Sequence, residues 1–309
     1  MFLAPIPFDY HASRLWRPHS KDEEAHHRHS SPANPQHRGD AELGDDDAGI
    51  RHSRNVALEV RLPSGRVRVT TADEPRTVVE LIAEGRRGSD AFEDIVIRAD
   101  ERPGGHVITI EQKDKFRWGP IQISWGGDFE VHINCPPGAD LDLAGGSTDL
   151  EVIGELGEVS AKSASGDMRI QNVTKKLQLK TASGDISVGA IEAEGTVVTV
   201  SGDLDIRHVL ASLNARTVSG DVQIGAIEAG DLQVQTVSGD VRIGVARGTR
   251  VWIDAVSVSG DLESELGLAD QTSEADPDEQ EPGRAVVPLR VKTVSGDVNI
   301  VRAVEAVSA

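Results

Sequence analysis

The sequence predicts an all-β protein, a parallel β-solenoid (β-helix) with coils of about 18 residues. A Ser-Gly-Asp motif recurs at nearly constant spacing, and the residues around each copy alternate between apolar and polar. Aromatic residues make up only 3% of the chain. Because aromatic side chains supply much of the buried area of most globular cores, this core must be built from Val, Ile, Leu and Ala, which suit narrow β interiors.

Residues 1–54 are expected to form a disordered tail. They contain seven of the ten histidines, with many prolines and charges and no periodic apolar pattern. His26, His27 and His29 could ligate a transition metal, because neutral imidazoles are good ligands. A solvated polar tail is the interpretation that we favour.

Residues 55–137 are expected to form an N-terminal β region that caps the solenoid. Short stretches alternate apolar and polar residues, beginning with Val56, Leu58 and Val60. Residues 113–125 are basic and aromatic instead, and Arg and Trp are enriched in binding hot spots. Arg117, Trp118 and Trp125 are therefore candidate partner-binding residues, and the alternative is an aromatic cap over the end of the solenoid.

Residues 138–303 are expected to form the solenoid itself. Beginning at the degenerate copy that ends in Asp149, the aspartates of the motif are separated by 18, 18, 18, 18, 19, 21 and 36 residues. The last interval is two periods and contains an acidic stretch, residues 269–284, which we interpret as a loop insertion from a coil that bulges outward. Residues 304–309 are a C-terminal tail. The predicted turn residues are Gly166, Asp167, Gly184, Asp185, Gly202, Asp203, Gly220, Asp221, Gly239, Asp240, Gly260, Asp261, Gly296 and Asp297.

Two architectures fit this repeat. In a parallel solenoid each coil stacks on the one before, about 4.8 Å along the axis. In an antiparallel meander, Ser-Gly is the two-residue loop of each hairpin. The solenoid is favoured because stacking requires a nearly constant coil length, whereas hairpins can vary freely.

Stacked coils place the aspartates in a column in which neighbours repel by roughly 1 kcal/mol in water. Hydrogen bonds from backbone N–H groups can offset this repulsion. A row of Ca²⁺ ions is the alternative, and it is less favoured because the nine-residue, glycine-rich repeats of calcium-binding β-rolls are missing. No cofactor is expected. Ser or Thr two positions before each motif forms a second column, whose hydroxyls can hydrogen-bond one another.

Charge and composition exclude several classes of function. A formal net charge of −19 argues against nucleic-acid binding. No apolar run reaches the length of a transmembrane segment, and Pro5 and Pro7 interrupt an apolar start that does not resemble a secretory signal. A cytoplasmic location, with peripheral envelope association as an option, is the expectation. The only cysteine, Cys135, is interpreted as a small buried apolar residue.

The repetition argues against catalysis, because an active site needs one asymmetric constellation of residues. The alternative is an enzyme that acts on an extended polymer across adjacent coils. Arg207, His208 and Arg216 are the nearest candidates for such a site.

The V-S-G-D-V and T-V-S-G-D-V units over about residues 55–303 resemble a bacterial β-strand-repeat family of unknown function that is often labelled as adhesin. The resemblance implies a β-solenoid without known catalytic residues and, from some members, a link to cell-envelope stress. We therefore expect a non-catalytic interaction scaffold with a protein or cell-envelope partner. An adhesin-like surface protein with cation-dependent stability is the alternative.

Overall fold

A computed structural model describes residues 55–83, 95–112, 129–266 and 286–303. Within these ranges the regular secondary structure consists entirely of strands, so no described segment is a helix that could cross a bilayer. The predicted tail and the acidic insertion lie outside the described residues. The strands are β1 (Asn55–Thr71), β2 (Val78–Ala83), β3 (Ile95–Arg102), β4 (Gly105–Gln112), β5 (Phe129–Cys135), β6 (Asp140–Ser165), β7 (Met168–Ser183), β8 (Ile186–Ile191), β9 (Glu194–Val198), β10 (Leu204–Val209), β11 (Leu213–Arg216), β12 (Val222–Ile227), β13 (Leu232–Gln235), β14 (Val241–Val245), β15 (Arg250–Ser259), β16 (Leu262–Ser264), β17 (Val286–Ser295) and β18 (Val298–Arg302).

Each coil has a first strand that enters the Ser-Gly-Asp turn and a second strand that leaves it. In one central coil β11 pairs in parallel with β9 and β13, while β12 pairs in parallel with β10 and β14. Equivalent residues of successive coils lie side by side, as Ile206 and Ile224 do. The parallel solenoid is therefore confirmed and the antiparallel meander is wrong. Among the described strands, only β2 with β5 and β3 with β4 pair antiparallel.

The core lies between the first and second strands of the coils. Side chains alternate, so that Leu232 and Val234 are fully buried while Gln233 and Gln235 between them are partly exposed. The buried residues of the described part are aliphatic apart from one methionine, one cysteine and a few hydroxyl side chains, with no aromatic ring among them. A core without rings explains how coils of nearly constant length can stack in register.

The last two coils do not stack in chain order. The coil formed by β17 and β18, here the inner coil, lies between the coil of β13 and β14 and the coil of β15 and β16. The coil of β15 and β16, here the outer coil, ends the stack although it comes earlier in the chain. The acidic insertion that we predict within the two-period spacing before Asp297, residues 269–284, lies outside the described residues, so an outward bulge of the chain there stays a prediction.

Core-facing residues give a physical reason for this order. A coil between two others must complete the apolar columns on both sides, and Leu289, Val291 and Ile300 of the inner coil do so. In the outer coil, Ser264 is the register partner of Ile300 and Ile253 is the register partner of Leu289. Because burying the Ser264 hydroxyl without a partner costs free energy, the weaker repeat is better placed at the end.

The N-terminal end is closed differently. The coil of β1 lies between β6 on one side and a coil made of β4 and β5 on the other. Two further strands, β3 and β2, then pair antiparallel with β4 and β5. The outer edges of β4 and β5 are therefore both covered, by β3 and β2, two strands that belong to no repeat.

Candidate functional site

The Ser-Gly-Asp turns form one continuous column along the solenoid. The structure places all fourteen predicted turn residues in it, at the junction of the first and second strands of seven coils. Within the column the Oδ1 atom of each aspartate accepts a hydrogen bond from the backbone N–H of the next aspartate. The distance between Oδ1 of Asp203 and the nitrogen of Asp221 is 2.9 Å.

This hydrogen-bond chain also follows the exchanged order of the last two coils. The carboxylate of Asp240 accepts from the N–H of Asp297, and that of Asp297 accepts from the N–H of Asp261, both at 2.9 Å. Each carboxylate therefore has a backbone donor from the following coil, up to the last rung at Asp261. At the other end of the column, Nη2 of Arg66 lies 3.7 Å from Oδ2 of Asp149. On the next rung, Nη2 of Arg169 donates to Oδ2 of Asp167 at 3.0 Å. The repulsion between stacked carboxylates is thus offset by backbone dipoles and by two cations near one end.

Glycine is required in the column for two reasons. Gly220 has a φ of 134°, which lies in the left-handed region that residues with a Cβ rarely adopt. A Cβ atom at Gly220 would also lie 2.2 Å from the carbonyl oxygen of Gly202 in the preceding coil. The other motif glycines repeat this contact, so backbone stacking itself excludes a side chain.

Metal ligation has little support in the described part of the chain. No group of three or more His, Cys, Asp or Glu side chains in the described ranges could hold an ion. The aspartate Oδ1 atoms are occupied by backbone N–H groups, as the first interpretation of the column expects. His26, His27 and His29 lie outside the described residues.

The buried hydroxyl column hydrogen-bonds differently from the expectation. The hydroxyl of Thr181 donates to the carbonyl of Ser183 in its own coil at 2.9 Å, and Thr217 bonds Ser219 in the same way at 3.3 Å. The prediction that these hydroxyls bond one another along the axis is therefore wrong. The backbone carbonyl two residues later is a nearer acceptor than the hydroxyl in the neighbouring coil. This hydrogen bond from the threonine hydroxyl stabilises the local conformation of the turn.

An exposed apolar column runs beside the turns. Five motif copies carry a valine before the serine, and four of these valines are 47–51% exposed while the fifth, Val258, is 77% exposed. We call this column the valine stripe; in stacking order it consists of Val200, Val218, Val237, Val294 and Val258. Ala164 and Ala182 continue it toward the N-terminal end.

Charged residues flank the valine stripe on both sides. On one side, three residues after each valine and beyond the Ser-Gly turn, lie the aspartates of the motif. On the other side, two residues before each valine or alanine, lies a second outward column, here the cation column. It consists of Lys162, Lys180, Val198, Arg216, Gln235, Lys292 and Val256 and contains no acidic residue. Along the five valines, an apolar surface about 20 Å long therefore has a carboxylate at every coil on one side and two cations, Arg216 and Lys292, on the other.

A second charged cluster lies near the N-terminal end, on β5, β1 and β6. Nε2 of His132 lies 2.9 Å from Oε1 of Glu130, and Nη1 of Arg68 lies 3.6 Å from the same oxygen. Burial alone would raise the pKa of Glu130, but His132 and Arg68 outweigh it and hold that pKa below its ordinary value. The hydrogen bond from Nε of Arg68 to Glu151, at 2.8 Å, raises the pKa of the guanidinium. These contacts make the cluster an ion-pair network on the outer face of the sheet.

The remaining candidates are not brought together. Cys135 is 1% exposed, and burial raises the pKa of its thiol to about 11, so its interpretation as a buried apolar residue is confirmed. Arg207 and His208 lie on β10, a second strand, whereas Arg216 points outward from β11, a first strand. They therefore face opposite sides of the coil. Arg117, Trp118 and Trp125 lie outside the described residues.

Sequence reasoning missed the valine stripe, although its signal was visible. The letters V-S-G-D recur five times, so a valine repeats directly after the buried hydroxyl position. Alternation around the buried threonine would have placed it outward.

The Toastrack DUF4097 family model matches residues 55–301, nearly the whole described part of the chain. The chain belongs to the Toastrack family. This confirms the resemblance drawn from the repeated V-S-G-D-V units.

Solved structures that match the chain come from several bacteria. A "putative adhesin" of Bacteroides fragilis is 12% identical with a TM-score of 0.42, and the match covers 80% of this chain and 92% of that one. A "putative lipid binding protein" of Parabacteroides distasonis is 10% identical with a TM-score of 0.45, covering 80% and 93%. A "putative cell adhesion protein" of Clostridium sporogenes is 11% identical with a TM-score of 0.28, covering 81% and 94%. At such identities and TM-scores, the likeness does not indicate what the present chain binds. No curated protein matches the chain.

Proposed function

We propose that this Toastrack protein is a non-catalytic interaction scaffold that binds an amphipathic segment of another protein along the valine stripe. The single observation that carries the proposal is the stripe itself. Five stacked valines are about half exposed or more, on a chain with a formal net charge of −19. Contiguous exposed apolar surface with a charged rim is typical of a protein-binding site.

The geometry of the stripe favours a helical segment. Valines repeat about every 4.8 Å along the solenoid axis, and one turn of an α-helix rises about 5.4 Å. A helix with an apolar stripe can therefore lie along the valines for several turns. Its basic flank would face the aspartate column, and its acidic flank would face Lys180, Arg216 and Lys292 of the cation column.

The repeated turn supports a non-catalytic role. Seven Ser-Gly-Asp turns present the same groups in the same geometry, and their carboxylates are engaged in holding the stack. A repetitive surface suits recognition of an extended partner, whereas catalysis requires one distinctive arrangement of groups.

Comparative capture of partners from the native cell lysate, membrane fraction included, tests this proposal. The test variant carries Val218→Ser and Val237→Ser. The matched control carries Gln223→Ser and Arg242→Ser on the opposite outer face. We expect a protein that is retained by the native chain and the control, is lost with the test variant and is released by salt. A synthetic peptide from that protein should bind the test variant at least about tenfold more weakly, equivalent to about 1.4 kcal/mol.

Retention of the same proteins by the test variant would contradict the proposal. If the test variant retains the same proteins with the same salt dependence, the valine stripe is not the binding surface. A parallel capture with Trp118→Ala and Trp125→Ala then tests the aromatic segment that the sequence suggested, with Arg117→Ala as a third variant.

A further inference from the structure

The outer coil leaves a long apolar strand edge uncovered by any described residue. β15 contains ten residues and pairs with β17 along one side only. Trp252 is 53% exposed, and Ile253 and Leu262, which occupy core columns, are 37% and 50% exposed. Natural sheets cover, shorten or charge such edges, because an uncovered apolar edge recruits other strands.

We propose that residues 3–10 of the same chain add to the free edge of β15 as a terminal strand and close this end of the solenoid. This segment, LAPIPFDY, is rich in apolar and aromatic residues, in a chain with few aromatics. The segment that we propose as the terminal strand therefore lies outside the repeats.

The two prolines of the segment have the spacing that a terminal strand needs. N–H groups of alternate residues in a strand point to the same side, so Pro5 and Pro7 remove donors from one edge only. If that edge faces solvent, the amides of Ala4, Ile6 and Phe8 face β15. The added strand then hydrogen-bonds to β15 along one edge. Its other edge lacks the N–H donors that a further strand would need to pair with it. Since the buried residues of the first strands direct their N–H groups toward the following coil, an added strand that runs antiparallel to β15 with these amides facing it places the side chains of Ile6 and Phe8 in the core columns above Ile253.

The length of the intervening chain allows this contact. Eight coil-to-coil steps separate β1 from the outer coil, which is about 38 Å at 4.8 Å per step. The 44 residues between Tyr10 and Asn55 can span at most about 145 Å, which is well beyond the distance required.

Charge favours the same contact. Residues 250–266 contain four carboxylates and one guanidinium. Residues 11–19, which follow the proposed strand directly, contain two arginines and two histidines and no acidic residue. The end of the solenoid and the entering segment are therefore of opposite charge.

Other undescribed segments fit the edge less well. Residues 267–285 are acidic and contain one large apolar residue, Leu268. The six residues 304–309 are too few to cover a strand of ten. Residues 113–128 are basic and aromatic, but they join β4 to β5, which belong to the opposite end of the stack.

Amide hydrogen exchange of the full-length protein tests the proposal, with β13 as the internal reference. Ile6→Ser with Phe8→Ser changes the face toward the core, and Leu3→Ser is the matched control on the outward face. We expect the double variant, and a chain that lacks residues 2–10, to exchange β15 amides at least about tenfold faster. The control should leave β15 unchanged, and β13 should keep its protection in every variant.

Adding a synthetic peptide of residues 1–12 to the shortened chain should restore the protection of β15. Unchanged exchange of β15 in both the shortened chain and the double variant would overturn the proposal. It would also be overturned if the protection in the native chain rose with protein concentration together with self-association, because the occupant would then be a second copy. Neither result depends on partner binding at the valine stripe.

Discussion

The inner and outer coils carry the same turn motif but differ in burial. Leu289 of the inner coil is fully buried, whereas its register partner Ile253 of the outer coil is 37% exposed. Their order in the stack is the reverse of their order in the chain. This difference in burial follows from position, since both side chains are apolar. The turn motif is shared, so what distinguishes the coil at the end is a polar residue at a core position, Ser264 opposite Ile300.

The largest difference between the two coils is expected at the motif glycines. Gly296→Ala should lower the free energy of unfolding by about 4 kcal/mol, because backbone strain and overpacking each cost about 1–3 kcal/mol. Its Cβ would lie 2.2 Å from the carbonyl oxygen of Gly239, and coils on both sides prevent relief. Gly260→Ala should cost about half as much, since the outer coil can move away. Chemical denaturation measures both.

Gly104→Ala is the control for strain alone. Gly104 has a φ of 103°, and a Cβ there would meet nothing within 4 Å. A cost of about 1–3 kcal/mol is expected for its positive φ. Equal losses at Gly296, Gly260 and Gly104 would show that stacking contributes nothing to the requirement for glycine.

The core columns should give the next largest contrast. Leu289→Ala is expected to cost about 3 kcal/mol, through lost burial and the cavity that remains between two coils. Ile253→Ala should cost about 1 kcal/mol, because the side chain is already partly in water. Urea denaturation of the two single variants decides the matter. A larger loss at Ile253 than at Leu289 would place the outer coil inside the stack.

The aspartate column should show a smaller effect of the same kind. Asp240→Ala removes the acceptor for the N–H of Asp297 and is expected to cost about 1 kcal/mol. Asp261 is the last rung, and none of the described N–H groups donates to its carboxylate, so Asp261→Ala should be nearly neutral. Asp240→Asn keeps an oxygen acceptor and serves as the control. A lower melting temperature for Asp261→Ala than for Asp240→Ala would contradict the stacking order.

The N-terminal end should show a modest dependence on pH. The pKa of Glu130 is held below its ordinary value in the folded state, so the unfolded chain binds this proton more readily. The stabilisation is therefore complete above the ordinary pKa of about 4.5 and is lost as the pH falls through the lower folded value. Glu130→Gln should flatten the stability profile in that acidic window and leave the outer coil unaffected. An identical acid profile for the native chain and Glu130→Gln would show that this network contributes nothing.

Much of the fold could be predicted from the sequence because stacking requires coils of nearly constant length, and this produces a repeat that is visible in the amino-acid sequence. The period, the turn residues and the alternation around them predict parallel coils. The exchange of the last two coils could not be read from spacing, since a two-period interval fits either a bulging loop or a reversed order. Only the mismatch between Ser264 and its partner Ile300 indicates which coil belongs at the end, and that pairing is known only from the register.

The candidate site was predictable in part for the same reason. Alternation around Thr217 places Val218 outward, but its exposure depends on what covers that face. The bond from Thr217 to Ser219 depends on the local path of the turn, which spacing does not define.

The stacking order itself is tested most directly by disulfide formation between pairs of cysteines in the valine stripe. Adjacent coils lie about 4.8 Å apart, within the Cα separation of a disulfide, whereas coils two steps apart lie beyond about 7 Å. Val218→Cys with Val237→Cys joins coils that are neighbours in either order and gives the reference rate, with Cys135 buried and unreactive. We predict that Val237→Cys with Val294→Cys oxidises at the reference rate and that Val237→Cys with Val258→Cys does not. Rapid oxidation of the second pair and none of the first would show that the coils stack in chain order and would contradict the account.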